Sequence, residues 1–337
     1  MLFSLKTALS LPDNQEKIMI KCPFCNGNML VDNKKFTCFS CFESGDIVDF
    51  LAKRDGVSHK KATWKALKEK PDIKAVKKIY RCNELAAKYF FENLLSEKNY
   101  FTRRGILYDT ISSFGLGYAS ADNGLKEYLL NNSVDEEILL ASGLFVLDNE
   151  IKPFFRNRAM FPIFDEKGNI VGFGGRRLDD RNKKTPKYLN TTENLVFHKR
   201  DLLYGLNKVV ETDTVYLVEG YMDVIALHQS GITNAVAALG TAIGEHHCTL
   251  LKEHGIKKII ISTDSDEAGI NATVKSIPVL QKHFDVTVVQ VVNAKDPDEY
   301  IKTFGKDAFL NLEQIPANTF AVQNSSDPIA TAIKYLL

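Results

Sequence analysis

Carboxylates and thiols carry the chemistry in this 337-residue chain. Glu219 follows the apolar run Val215–Val218, and Asp223 lies one helical turn further on. Asp264 and Asp266 follow the β-branched run Lys258–Ser262, and Asp296 and Asp298 follow Val286–Val292. Any one acidic pair could be a solvated turn or a helix cap. Three clusters that each close a short apolar run point elsewhere. Converging carboxylates repel one another unless a cation sits among them, and Mg²⁺ favours a few carboxylates plus water and phosphate oxygens. A second donor set lies near the start of the chain. Cys22-Pro23-Phe24-Cys25 is followed, after twelve residues, by Cys38-Phe39-Ser40-Cys41. Two such knuckles close a tetrahedron of four thiolates around one Zn²⁺ and leave no open position, so this metal is expected to be structural.

The runs before the carboxylates are too short for helices, and helical patterns follow them at Tyr221 and after Gly269. This alternation predicts a parallel sheet with crossover helices, whose ligands gather beyond the carboxyl ends of the strands. Between the knuckles, Met29–Val31 and Lys35–Thr37 read as a hairpin around Asp32-Asn33, with a helix starting at Ile47 and Trp64 closing a small core. Residues 1–20 carry no clear signal. Asn83–Leu95 is an amphipathic helix. Cys82 and Cys248 lack partners at ligand spacing, and His246-His247 reads as a helix start.

The motifs Val218-Glu219-Gly220-Tyr221-Met222-Asp223, Ala238-Leu239-Gly240-Thr241, Asp264-Ser265-Asp266-Glu267-Ala268-Gly269 and Asp296-Pro297-Asp298 resemble the Toprim domain of DnaG-type primases. The cysteine stretch with Gly45-Asp46 and Val48-Asp49-Phe50-Leu51 is similar to the zinc-binding domain of that family. Many bacterial members have His as the second ligand where this chain has Cys25, and four-cysteine versions point to a phage or mobile-element origin. Arg103-Arg104-Gly105-Ile106, Arg156-Asn157-Arg158, Gly174-Gly175-Arg176, Pro186-Lys187-Tyr188-Leu189-Asn190 and Phe197-His198-Lys199 match, as an ordered set, the basic region of the primase polymerase domain.

The resemblance implies an α/β fold. It has a Toprim parallel-sheet core, a basic α+β subdomain before it and a small β zinc ribbon at the start. The implied limits are 1–70 for the ribbon, 71–82 for a linker, 83–208 for the basic subdomain, 209–305 for Toprim and 306–337 for a short tail. The implied activity is DNA-directed RNA primer synthesis. A 3′-hydroxyl attacks the α-phosphate of a ribonucleoside triphosphate, pyrophosphate leaves, and Mg²⁺ or Mn²⁺ neutralises charge. Glu219, Asp264 and Asp266 are the implied catalytic set, with Asp223, Asp296 and Asp298 as further magnesium ligands. Arg104, Arg156, Arg158, Arg176, Lys187, Asn190 and Lys199 are expected along the nucleotide and template path. The glycines at 174 and 175 are expected to let the backbone approach a phosphate. The expected partners are single-stranded DNA, ribonucleoside triphosphates and a replicative helicase on a separate chain. The tail is too short for the helical subdomain that follows Toprim in bacterial members.

Charge and composition agree. Residues 1–105 carry 20 Lys and Arg against 12 Asp and Glu, residues 150–208 carry 13 against 7, and residues 209–337 carry 9 against 16. A basic half beside an acidic half suits a polyanion led to a metal. No apolar run is long enough for a membrane span, no export signal is legible, and paired cysteines without one suit a reducing cytoplasm. Two other readings share the motifs: a Toprim nuclease or topoisomerase, and a RecR-like mediator without catalysis. The first needs a large extra domain for its tyrosine. The second lacks the arginine-rich 154–208 region.

Overall fold

Short strands buried on both faces must be covered by helices, and a computed structural model shows this arrangement over the acidic motifs. It describes residues 5–9, 11, 16–32, 35–56, 73–95, 100–179, 181, 184–262, 264–325, 327–328 and 331. Trp64 and Asn33 lie outside the described residues. The chain forms two units.

The first unit comprises Met1–Asn83, Lys126–Phe154 and Thr192–Phe197. After a single helical turn at Leu5–Ala8 it forms an antiparallel four-stranded ribbon in the order β1-β2-β3-β4. The strands are β1 (Ile18–Lys21), β2 (Asn28–Val31), β3 (Phe36–Cys38) and β4 (Ser44–Gly45). The hairpin of β2 and β3 matches the sequence reading, whereas β1 lies in a stretch without signal, because four residues are too few for a legible alternation. Helix α1 (Ile47–Asp55) follows β4. Asp46 and Asp49 cap its start reciprocally, each backbone N–H donating to the other's carboxylate at 2.8 and 3.1 Å. Phe36 and Phe50 are buried, and the Phe24 ring packs on both at 6.1 and 5.3 Å between centroids. Helix α2 (Ile73–Leu95) begins inside the stretch expected as a linker. A hairpin of β6 (Phe145–Asp148) and β7 (Glu150–Pro153) also belongs to this unit.

The second unit comprises Glu84–Leu125, Phe155–Thr191 and His198–Leu337. It contains an antiparallel sheet in the order β10-β9-β8-β5. These are β5 (Gly117–Ala119), β8 (Arg158–Phe164), β9 (Ile170–Arg177) and β10 (Tyr188–Asn190). The β8–β9 turn falls at Lys167-Gly168-Asn169, where Gly168 supplies a φ of 80°.

A six-stranded sheet in the order β11-β13-β12-β14-β15-β16 holds the acidic motifs. It comprises β11 (Leu203–Tyr204), β12 (Thr214–Val218), β13 (Ala235–Ala238), β14 (Lys258–Ile261), β15 (Asp285–Val288) and β16 (Ile315–Pro316). The four central strands are parallel and each edge strand is antiparallel. Its helices are α3 (Tyr221–Gln229), α4 (Glu245–Glu253), α5 (Glu267–Leu280), α6 (Pro297–Leu310) and α7 (Ala317–Gln323). His246-His247 does open α4, with the Gly244 N–H donating to His247 Nδ1 at 3.2 Å. Val215, Leu217, Ile259 and Ile261 pack with Val286, Val288 and Ile277 in the core under the sheet. Burying such aliphatic side chains contributes roughly 1.5–3 kcal/mol each.

Candidate active site

The carboxyl ends of β12, β14 and β15 face one edge, and the acidic loops meet there as the strand order requires. Asp223, Asp264 and Asp296 each offer a carboxylate oxygen, and these atoms lie within 4.8 Å of one another. They share a cavity of about 360 Å³ with Glu219, Asp298, Lys295, Arg104, Arg176 and Lys187.

Each carboxylate is set by local chemistry. Asp223 lies in the first turn of α3 and is buried. It accepts the Gly220 N–H at 3.1 Å and the Asp298 N–H at 3.2 Å. Asp296 caps α6, accepting the Glu299 N–H at 2.8 Å, and pairs with Lys295 at 2.9 Å. Asp264 is placed by close packing. A Cβ on Gly269 would stand 2.3 Å from the Asp264 carbonyl oxygen, so only glycine lets α5 start against that loop.

The electrostatics are those of crowded carboxylates. Burial, followed by the charges of Asp296 and Asp264, pushes the Asp223 carboxyl up to about 8. Burial, followed by Glu219 and Asp296, pushes Asp264 up to about 6. Asp296 is also raised by burial, but the Glu299 N–H and Lys295 outweigh that and hold it below the usual carboxylate range. Two carboxylates that resist ionisation beside a third that is ionised fit a divalent metal, which takes the place of the protons.

The Asp223 shift has a consequence for stability. With a folded value near 8 and an unfolded value near ~3.9, the folded state binds more protons between those limits. Metal-free stability is therefore greatest at the acid end and falls as pH rises. We expect a loss of about 4 kcal/mol between about pH 5 and 8.5 in EDTA, and a much shallower fall for Asp223→Asn, in which only Asp264 remains raised. Mg²⁺ should abolish the fall in the parent. Thermal unfolding across pH measures this, and a parallel fall in both proteins would put the titration elsewhere.

The structure separates the other expected residues into distinct settings. Glu219 is exposed and lines the cavity. Asp266 caps α5 through the Gly269 N–H at 2.9 Å and does not line the cavity. Asp298, 2% exposed, accepts from Arg104 Nη2 at 2.6 Å and pairs with Lys302 at 2.6 Å. Oδ2 takes the Arg104 hydrogen bond, Oδ1 lies beside the Lys302 ammonium without a hydrogen bond, and the residue stands outside the acidic triad.

Arg176 stacks its guanidinium on Tyr100 at 4.7 Å, and Lys187 is exposed. The Asn190 amide donates to the Leu239 carbonyl at 2.9 Å, and its oxygen accepts from the Tyr221 hydroxyl at 2.5 Å. Arg156 donates twice to the Ala121 carbonyl, at 3.0 and 2.6 Å. Arg158 is buried and donates to the carbonyls of Gly175, Lys187 and Pro186 at 2.9, 3.3 and 3.0 Å, fastening Pro186-Lys187 to β9. Lys199 sits in a short 3₁₀ turn and does not line the cavity. A Cβ on Gly174 or Gly175 would come within 2.5 Å of the Tyr221 or Phe155 ring. These glycines make room for aromatic packing.

Lys295, Tyr100 and Lys302 were missed by sequence reasoning. Lys295 directly precedes Asp296 and Lys302 lies one helical turn after Asp298, so both were within reach of a local pattern; Tyr100 meets Arg176 across a long separation that no local pattern reports.

In the first unit the four cysteine sulfurs also lie within 4.8 Å of one another. Backbone N–H groups of Phe24, Gly27 and Ser40 donate to the sulfurs of Cys22, Cys25 and Cys38 at 3.4 Å each. Donors aimed at sulfur stabilise thiolate, the form that binds metal, and the cluster is consistent with a zinc ribbon.

Comparison with known proteins agrees with this geometry. Residues 89–210 match the family described as DNA primase catalytic core, N-terminal domain, and residues 216–301 match the Toprim-like family. The DNA primase of Clostridium acetobutylicum is 41% identical over 304 residues, which cover 83% of this chain and 50% of that protein. The chain thus spans about half the length of the curated relatives it matches. The Aquifex aeolicus primase structure, with zinc-binding and RNA polymerase domains, superimposes with a TM-score of 0.67 at 28% identity, covering 97% of this chain and 92% of that one. A DnaG primase catalytic domain bound to single-stranded DNA gives 0.65 at 30% identity, covering 75% and 83%. With its acidic edge, its basic wall and these matches, the chain belongs to the DnaG-type primase family and carries that family's catalytic core with its Toprim domain.

Proposed function

We propose that this chain joins ribonucleoside triphosphates into short RNA primers on single-stranded DNA. The observation that carries the reading is a single cavity in which three clustered carboxylates face Arg104, Arg176 and Lys187. A triphosphate is a polyanion whose reacting phosphate needs metal and whose other oxygens need fixed cations. The DnaG catalytic domain solved with single-stranded DNA supports DNA as the template. The test is primer synthesis from triphosphates on single-stranded template, which neither a nuclease nor a mediator performs.

When bound, Mg²⁺ or Mn²⁺ supplies Lewis acidity at the α-phosphate and neutralises charge on the displaced pyrophosphate. Asp223, Asp264 and Asp296 would hold it, with Glu219 at the exposed side. Arg104 has five N–H donors and keeps some for phosphate beyond its bonds to Asp298 and the Tyr100 hydroxyl. The Arg176 guanidinium is fixed on the Tyr100 ring, and Lys187 reaches from the strand that Arg158 fastens. Residues 1–70 with zinc on Cys22, Cys25, Cys38 and Cys41 engage template, 83–208 guide the substrates, and 209–305 hold the chemistry. A replicative helicase on a separate chain is an expected partner. No described helix is long and apolar enough to cross a membrane.

In this reading Asp298 aims Arg104 and ligates no metal. Asp298→Asn should raise the apparent KM for nucleotide roughly tenfold, the scale of one charge-assisted hydrogen bond, and leave Mn²⁺ affinity unchanged. The double variant with Arg104→Gln should be little worse than the worse single one. Weakened Mn²⁺ binding in Asp298→Asn would instead make it a ligand.

A further inference from the structure

The two cysteine knuckles share one backbone feature and differ in the residue that adopts it. The residue after the second cysteine is left-handed in both, with φ of 63° at Asn26 and 61° at Phe42. Asparagine tolerates that region, whereas for a bulky side chain it is an outlier. Phe42 is also 85% exposed, so its ring gains nothing from the ribbon core that would offset the strain. A strained, solvated aromatic beside a metal knuckle is costly twice over, and a ligand for its face accounts for both costs.

The surroundings indicate which ligand. Cross-strand pairing puts Met19, Leu30, Thr37 and Ser44 in one row and Lys21 opposite Asn28 two residues along, on the same face, with Ile20, Met29 and Cys38 turned to the other face between them. The Phe39 N–H donates to the Asn28 carbonyl at 2.9 Å, placing a second aromatic, 54% exposed, beside that pair. The solvent side of the ribbon therefore carries aromatic rings, a lysine and small hydrogen-bonding side chains. It lies within the first 105 residues, whose charge is net positive at 20 Lys and Arg against 12 Asp and Glu. Single-stranded polynucleotide matches this face, its bases stacking on the rings and its phosphates drawn by positive charge.

We infer that Phe42 is a stacking platform for one unpaired template base, held in a strained backbone position for that purpose. The inference rests on the primase reading above. The experiment uses the full chain and a single-stranded oligodeoxynucleotide carrying 2-aminopurine, whose emission falls on stacking. Phe42→Gly removes the ring and also the strain. It should bind the oligonucleotide roughly 5- to 100-fold more weakly, the range of one base–aromatic stack. It should keep its zinc and unfold no more readily than the parent. Phe42→Trp should bind within about threefold of the parent, since any flat ring serves. Parent-like binding by Phe42→Gly overturns the inference, and so does Phe42→Trp binding as weakly as Phe42→Gly. If the parent makes primers in either case, only the stacking role fails. If the parent neither binds the oligonucleotide nor makes primers, the primase reading fails with it.

Discussion

Primer synthesis is expected to fall by roughly three orders of magnitude or more when Asp264 is replaced by alanine, a loss of about 4 kcal/mol of transition-state stabilisation. The motive is geometric. Asp264 shares the metal-sized cluster with Asp223 and Asp296 and lies half-buried in the cavity. The same geometry predicts that the fold survives. Asp264 repels Asp223, so removing it relieves a like-charge contact in the metal-free protein. Asp264→Ala should therefore unfold no lower than the parent in EDTA above neutral pH, and should lose most of the stabilisation that Mg²⁺ gives. Asp266→Ala is a useful contrast. Its carboxylate caps α5 away from the cavity, so it should cost about 1 kcal/mol of stability and leave Mn²⁺ affinity closer to the parent's. Primer yield, thermal unfolding and Mn²⁺ titration read out all three quantities. Near-normal yield from Asp264→Ala would remove the residue from the metal site.

The second large effect concerns the ribbon. Cys38→Ser is expected to release zinc and unfold residues 20–56 locally, because a core built on Phe24, Phe36, Phe50 and Leu51 is too small to stand without metal. Cys38 is buried, and its sulfur accepts from the backbone N–H groups of Ser40 and Cys41 at 3.4 and 3.5 Å. Serine offers those donors a poorer partner and the metal a poorer ligand. A closed four-thiolate site has no position for a substrate, so its loss should spare the chemistry. Starting new primers should fall about a hundredfold or more, while extension of an annealed RNA oligonucleotide should fall by far less. Equal loss of both activities would make the ribbon part of the catalytic unit, and intact initiation would remove it from template reading.

The chain by itself determined the strands that carry the acidic residues, their order and the cysteine knuckles. Strand-forming runs ending in Glu219, Asp264 and Asp296 require a parallel sheet with an acidic edge, and the cysteine spacing requires a knuckle pair. Both follow from local periodicity and short-range geometry, and so did the start of α4 at His246-His247. Only the tertiary structure decided the fate of individual side chains. Six acidic residues near that edge read alike in the sequence. Three converge, Glu219 stands exposed beside them, Asp266 turns to its own helix, and Asp298 is taken by Arg104 from 194 residues away. Arg158 and Arg176 were also alike until folding put one among backbone carbonyls and the other on a tyrosine ring facing the cavity. Strand β13 was read only as a glycine motif, since Ala235–Ala238 lacks the β-branched residues that mark its neighbours. The reason is common to these cases. Backbone conformation depends on neighbours a few residues away, whereas a charged side chain goes where its desolvation is compensated, and that partner is chosen by the packing of the whole unit.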